Sequence, residues 1–206
     1  MTSNTLYDHT EDQYMLHPHV ETKRTRFRPL TSGDGEEFYA LLSRLGIKSL
    51  PPVDDFLSTF DFGSEVMFAV EARRTGDTLG YASLQHKDPA GHIQAGIFIE
   101  GGRGGPGIGG EVSTLLVNYA FATWPEIHKV YFLTTDASAE GFGVGLVGTT
   151  LEGSLREHEY FQGRLWDLHY YSVTREEWTT EGVHFLERLV SPAGAGGAAS
   201  QRAPEA

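Results

Sequence analysis

The stretch QAGIFIEGGRGGPGIGGEVSTLLVNYAF, residues 94–121, decides the fold. Its first part alternates in the manner of a strand, with Ala95, Ile97 and Ile99 on one face. Its middle, residues 101–110, holds seven glycines in ten positions and no lysine. Its last part sets Val112, Leu115, Leu116 and Tyr119 on one helical stripe. Strand, bare loop and helix in that order bring backbone N–H groups and the positive end of a helix dipole to one point. Such a point suits an anion, above all a phosphate, and missing side chains let the anion reach the main chain.

Two other readings of the glycines fail. Gly105, Gly107 and Gly110 satisfy the dinucleotide spacing G-x-G-x-x-G. That motif needs a unit of parallel strands around it and an acidic residue about 20 positions on, whereas the residues ahead read as hairpins and no such acid follows. A nucleoside-triphosphate loop needs a Lys-Ser/Thr pair after its last glycine, and none is present. A second run, GFGVGLVG at 141–148, repeats the spacing at Gly143, Gly145 and Gly148. A strand follows it, so it reads as a segment packed on the sheet.

Upstream, TRFRPL alternates as a strand. DGEEFYALLSRLG reads as a helix capped by Asp34, with Glu37 three residues on, a stripe of Phe38, Leu41, Leu42 and Leu45, and Gly46 at its end. VDDFLSTF is a shorter helix. Strands are expected over 66–71, 79–86 and 92–99, joined by turns at RRTGD and KDPAG into an antiparallel meander. Downstream, KVYFLTT is a strand. After the second glycine run, GSLREHEYF and LWDLHYYSV pair through a turn at Gly163. Thr174 and Glu177 open a last helix with Trp178, Phe185, Leu186 and Leu189 on one side.

The chain has 206 residues, a formal charge of −12, 12% aromatic residues and no cysteine. Residues 1–20 read as a flexible N-terminal arm, 21–190 as one domain and 191–206 as a disordered tail. The missing cysteines remove disulfides, thiolate zinc sites and a cysteine nucleophile, and no metal site is expected. Acidity argues against nucleic acid as a partner. The one basic cluster, KRTRFR at 23–28, reads as the start of a strand with solvated charges. No apolar run approaches the roughly 18 residues of a membrane span, so no membrane partner is expected. The polar, acidic first residues do not read as a signal peptide, and a cytoplasmic location is expected.

This order of elements resembles the GNAT acetyltransferases. RGGPGIGGEVSTLLVNYAF is similar to that family's coenzyme A loop and helix, QAGIFIE to its splayed fourth strand, and LEGSLREHEYFQGRLWDLHYYSVTREEW to its final hairpin. The branch it looks most like is that of the ribosomal-protein N-terminal acetyltransferases. The resemblance spans about residues 22–178. It implies an α+β fold: a central, mostly antiparallel twisted sheet of about seven strands, splayed around an acyl-CoA loop and flanked by helices. It also implies acetyl-CoA, or another acyl-CoA, as co-substrate. The binding residues would be Ile97, Phe98 and Ile99 on the strand and Arg103, Gly104, Gly105, Gly107, Ile108, Gly109 and Gly110 in the loop.

The sequence departs from the family in three places. The loop's usual Arg or Gln falls on Gly104, with Arg103 displaced by one. The usual Gly-Phe is Gly148-Thr149, and the tyrosine that many members use as general acid would fall near Val144. Proton delivery to the leaving thiolate must then come from elsewhere.

The implied chemistry is attack of an amine on a thioester carbonyl, with coenzyme A leaving as thiolate. It needs a base for the ammonium and N–H groups for the oxyanion. By the resemblance Glu159 is the first candidate base. Alternation sets it on one face with Glu157, and the partner strand brings Trp166, His169 or Tyr170 near it. Glu100, at the end of the fourth strand, is the second. Ser138, in TDASAE, best matches the hydroxyl that protonates the thiolate. His86, His158, Trp166 and Tyr170 are candidates for the substrate side. The acceptor is a small-molecule or peptide amine. Two alternatives stay open: an acyl donor carried on an acyl carrier protein, and a non-catalytic GNAT-fold protein that senses coenzyme A or a metabolite. A homodimer is also compatible with the resemblance.

Overall fold

The computed structural model describes residues 16–47, 50–60, 64–136, 149–161 and 163–190. Its strands are β1 (Thr25–Pro29), β2 (Ser64–Ala72), β3 (Thr78–Asp88), β4 (His92–Ile99), β5 (Lys129–Thr135), β6 (Thr150–Phe161) and β7 (Arg164–Thr174). They form one sheet in the order β1-β2-β3-β4-β5-β7-β6. Helices α1 (Gly35–Arg44) and α2 (Val53–Thr59) stand between β1 and β2, and α3 (Ile108–Thr123) joins β4 to β5. A helical turn at Arg175–Glu177 and a wide turn at Trp178–Gly182 lead into α4 (Val183–Val190).

Every neighbouring pair is antiparallel except β4 and β5. That pair is parallel and α3 bridges it, so the glycine loop does sit in a βαβ unit. The hairpins read from the sequence end at β4, one strand short of where they were expected to rule such a unit out. The parallel pairing lasts four residues, His92–Ala95 against Lys129–Phe132. Past Ala95, β4 stays on β3 as far as Ile99 opposite Gly80. Meanwhile β5 stays on β7 as far as Thr135 opposite Leu168. The sheet therefore splits into a V that opens toward the C-terminal ends of β4 and β5. Gly80 helps hold one arm of the V, because a Cβ there would strike the Phe98 carbonyl and crowd Ile99.

Each face of the sheet has its own core. On one face Val112, Leu115 and Leu116 of α3 pack on Ile93, Ala95 and Val130, with Trp178, Val183 and Leu186 beside them. On the other, Phe38, Leu41 and Leu42 of α1 cover Ala69 and Tyr81, and Phe98 meets Phe38 edge-on at 5.6 Å. The end of α3 is closed by Arg175, whose guanidinium donates to the carbonyls of Phe121, Trp124 and Ile127.

Three local expectations change. Asp34 is the N-cap residue of α1, but its carboxylate makes no capping bond to that helix; it closes the turn Ser32–Asp34 by accepting from the Thr31 N–H and hydroxyl, each at 2.8 Å. The charges of KRTRFR are paired as well as solvated: the exposed Arg26 and the half-buried Arg28 both reach the buried Glu71, and Arg28 also reaches Asp34. These guanidiniums hold both carboxyls below the usual carboxylate range, Arg28 acting foremost on Asp34 and Arg26 on Glu71. Residues 16–20 are docked: Leu16 packs on the first core, and the buried Asn118 donates to the His17 carbonyl at 2.7 Å.

Candidate active site

The loop between β4 and α3 depends on glycine for its path. Gly102, Gly104, Gly105 and Gly107 hold φ of 86°, 74°, 81° and 80°, in the left-handed region that costs other residues about 1–2 kcal/mol each. Gly107 is the N-cap of α3. At Gly104 a side chain would also press on Ile108 and Leu79, whereas at Gly105 and Gly110 it would meet open space. The Glu111 N–H returns to the Gly107 carbonyl at 3.1 Å, so the N–H groups just ahead of it carry no intrahelical bond. The loop thus presents unpaired N–H groups and a helix dipole at the open end of the V.

Inside the V, residues Gly96–Ile99 have lost β5 as a neighbour. Alternate strand residues turn N–H and C=O to opposite edges, so half of this backbone aims into the gap. Ile97, Phe98 and Ile99 are half-buried there. The four-residue run from Ile99 back to the apex at Ala95 covers about 13 Å.

A cavity of about 490 Å³ lies at the narrow end of the V. Leu133 and Tyr170, a cross-strand pair just beyond the last paired residues of β4 and β5, form part of its wall. Asp88 and Glu152 bring carboxylates to it, and His86, His92 and Tyr131 line it too. Glu152 is bonded to Lys129 (2.7 Å), Ser172 (2.6 Å) and Tyr131 (3.3 Å). The Lys129 ammonium, first of these causes, lowers the Glu152 carboxyl and is itself raised. His86 takes a positive φ of 54° and sets its Nδ1 3.3 Å from Gln94 Oε1. An Nδ1–H donated to that carbonyl oxygen leaves Nε2 as the acceptor nitrogen.

Of the residues singled out in the sequence, His86 and Tyr170 meet in this cavity. The others scatter. Glu100 is held between Arg44 and Arg103, each Nε at 3.2 Å, so it is an ion-pair partner and not a free carboxylate. Arg103 also donates to the Thr78 carbonyl, which turns it away from the loop's N–H groups. Glu159 is exposed on the edge strand β6, with β7 and β5 between it and β4. Its opposite residue is Trp166, as the alternation implies, but the Trp166 ring lies under Arg164 with the guanidinium 3.4 Å from its centre. Glu157 does not share Glu159's regular strand setting. The register slips between Leu155 and Glu159, and Glu157 has a positive φ of 51° with its N–H on Asp167. His158 falls in the same bulge and is exposed. Ser138, Gly143, Val144, Gly145 and Gly148 lie outside the described residues.

Sequence reading missed two groupings. Ser154 Oγ, His169 and Asp136 form a chain across β6, β7 and the end of β5, with contacts of 2.7 and 2.8 Å; His169 serves this chain and not Glu159. Arg24, 82 residues before Pro106 in sequence, bonds the Pro106 carbonyl and Glu111. The charge of KRTRFR was legible, but nothing in its spacing pointed to the loop.

No family model matches the sequence. The Bacillus subtilis (strain 168) protein described as uncharacterized N-acetyltransferase YoaA is 25% identical over 178 residues, covering 78% of this chain and 98% of its own. A crystal structure of mutant forms of the Vibrio cholerae spermidine/spermine N-acetyltransferase SpeG superposes with a TM-score of 0.65 at 20% identity, covering 76% of this chain and 97% of that one. The Vibrio cholerae spermidine N-acetyltransferase in complex with CoA and spermine gives 0.62 at 18%, covering 76% and 98%. The fold is the GNAT fold: α+β, with a seven-stranded mixed sheet split between β4 and β5. These likenesses concern that fold as a whole and not the ribosomal-protein branch in particular.

Proposed function

We propose that the protein is an N-acyltransferase that moves an acetyl group, or another acyl group, from a coenzyme A thioester to a primary amine. The observation that carries this reading is the shared axis of three features: the anion-ready loop at the open end of the V, unpaired β4 backbone along it, and the cavity at its apex. The diphosphate of coenzyme A takes the N–H groups at the start of α3. The two amides of its arm pair with Gly96–Ile99 as an added strand would. The thioester then reaches the apex beside Leu133 and Tyr170.

The acceptor enters the cavity, where the exposed Asp88 carboxylate favours a cationic amine, Glu152 being already paired with Lys129. The complex of the Vibrio cholerae relative with CoA and spermine supports an amine of this kind. For transfer, the ammonium loses a proton and its nitrogen adds to the thioester carbonyl carbon. The C–S bond breaks, the nitrogen gives up its second proton as the amide forms, and the thiolate leaves and takes up one proton in its place. His86, with Nε2 turned to acceptor duty, is the base that the cavity favours. Glu159 stands beside it on the resemblance alone.

Mass spectrometry of the full chain with acetyl-CoA and a panel of amines tests the reading. An amine that gains 42 Da while coenzyme A is released supports it. Coenzyme A binding with no thioester consumption for any amine points to a sensor. Consumption only from an acyl carrier protein moves the donor to that partner.

A further inference from the structure

We propose that Arg24 is the cation of the donor-phosphate site, supplied from the start of β1 in place of a basic loop residue. This rests on the coenzyme A reading above. The loop has an electrostatic problem of its own. Glu111 is buried in the first turn of α3, where the helix dipole welcomes one negative charge, and a diphosphate brought to the same turn meets that carboxylate as a like charge. Arg103, the only basic side chain in the loop, is spent on Glu100 and the Thr78 carbonyl.

Arg24 answers both points. Its Nε and Nη2 donate to Glu111 Oε2 at 2.8 and 2.7 Å, and its Nη1 donates to the Pro106 carbonyl at 3.1 Å. Thr22 and Thr25 complete the shell of Glu111 by donating to its other oxygen. The carboxylate is thereby neutralised, and the Pro106 carbonyl is drawn off the phosphate's approach. Three of the five guanidinium N–H groups are engaged in these contacts, which leaves two. The side chain is 46% exposed, and its Nη2 lies 3.6 Å from where a Cβ on Gly107 would be. A guanidinium with spare donors therefore sits at the N-cap of α3, the place a phosphate oxygen must occupy. A planar fork tied on one side to a carboxylate suits a phosphate on the other.

The test compares acetyl-CoA with acetyl-pantetheine, which lacks the phosphates together with the adenosine they carry. Acetyl-CoA and acetyl-pantetheine are assayed with one accepted amine, and CoA affinity is measured by calorimetry, in the wild-type chain, Arg24→Gln and Arg24→Lys. In Arg24→Gln, CoA affinity should fall at least tenfold, and the preference for acetyl-CoA over acetyl-pantetheine should shrink by the same factor. Arg24→Lys keeps the charge without the fork and should recover part of the loss. Equal losses with both donors would make Arg24 a brace of the fold and overturn the proposal, as would unchanged CoA affinity. Should Arg24→Gln fail to fold, the lysine variant carries the same comparison of donors. Failure of the wild-type chain to bind CoA would overturn the function reading and this proposal with it. Wild-type binding with an unmoved donor ratio in the variants would overturn this proposal alone.

Discussion

Gly107→Val separates what the loop does for folding from what it does for binding. The residue caps α3 with φ 80° and ψ 0°. An L-residue in this region costs about 1–2 kcal/mol. The unfolded chain, stiffened by the added side chain, returns roughly 0.4–1 kcal/mol. The net loss is about 1 kcal/mol, a fall in Tm of roughly 2–4 °C for a chain of this size. The Cβ itself fits, since its nearest neighbour is Arg24 Nη2 at 3.6 Å. The two γ-methyls beyond it have no such room without covering the first N–H groups of α3. Coenzyme A affinity should therefore fall at least tenfold, or about 1.4 kcal/mol, more than the strain alone explains. Gly76→Ala, in the turn between β2 and β3, is the matched control. Its φ is 79° and a Cβ there meets nothing within 4 Å, so it carries similar strain away from the loop. Calorimetry with CoA and urea melting, run on both variants, read the two effects separately. If Gly107→Val binds CoA within twofold of wild type while folded, the loop is not the phosphate site. If Gly76→Ala loses as much affinity, strain and not crowding is the cause.

His86→Gln should lower kcat at neutral pH by roughly 10²- to 10⁴-fold, recovering as pH rises through the pKa of the amine, whereas Glu159→Gln should change it less; the reverse order would return the base to Glu159. Asp34 and Glu71 have carboxyls depressed by Arg28 and Arg26, so their contribution is full above the unfolded value of about 4 and is lost as pH falls below it. The urea midpoint should thus drop between pH 6 and pH 3, and Arg28→Gln should flatten that slope; an equal slope in the variant would refute the assignment. Arg175→Ala strips donors from three carbonyls at the end of α3 and should cost roughly 3 kcal/mol in urea melts, with a loss below about 1 kcal/mol counting against it.

Most of the architecture was legible because periodicity and turn chemistry are local. The strands at His92–Ile99 and Lys129–Thr135 match the residues read from alternation. Gly46, Gly91 and Gly163 each take a positive φ at a turn the sequence marks, and the Thr174–Glu177 box closes as its spacing says. What was not legible comes from pairs far apart in the chain. The meeting of Arg24 with Glu111 spans 87 residues, and a buried acid at the front of a helix looks from sequence like an ordinary first-turn glutamate. The cavity draws on β3, β4, β5, β6 and β7 at once, so no single segment announces it. Alternation also misleads wherever a bulge intervenes. Glu157 and Glu159 share a face by counting in twos, and the slip in register between Leu155 and Glu159, with Glu157 inside it, ends that count.

The sheet order has a bearing on how the chain assembles. The last of the described strands in chain order, β7, is not an edge strand; it lies between β5 and β6. Until residue 174 has been made, β5 lacks one neighbour and β6 has none, so the half of the V that carries Leu133 and Tyr170 cannot form before β7 is complete. The other half, β1 to β4, can pair as soon as it emerges. Refolding should accordingly show an early phase in which β1–β4 and α1 gain protection from hydrogen exchange, and a later one in which β5–β7 gain it together. A truncation inside β7 would cost the chain two strands' worth of order, not one.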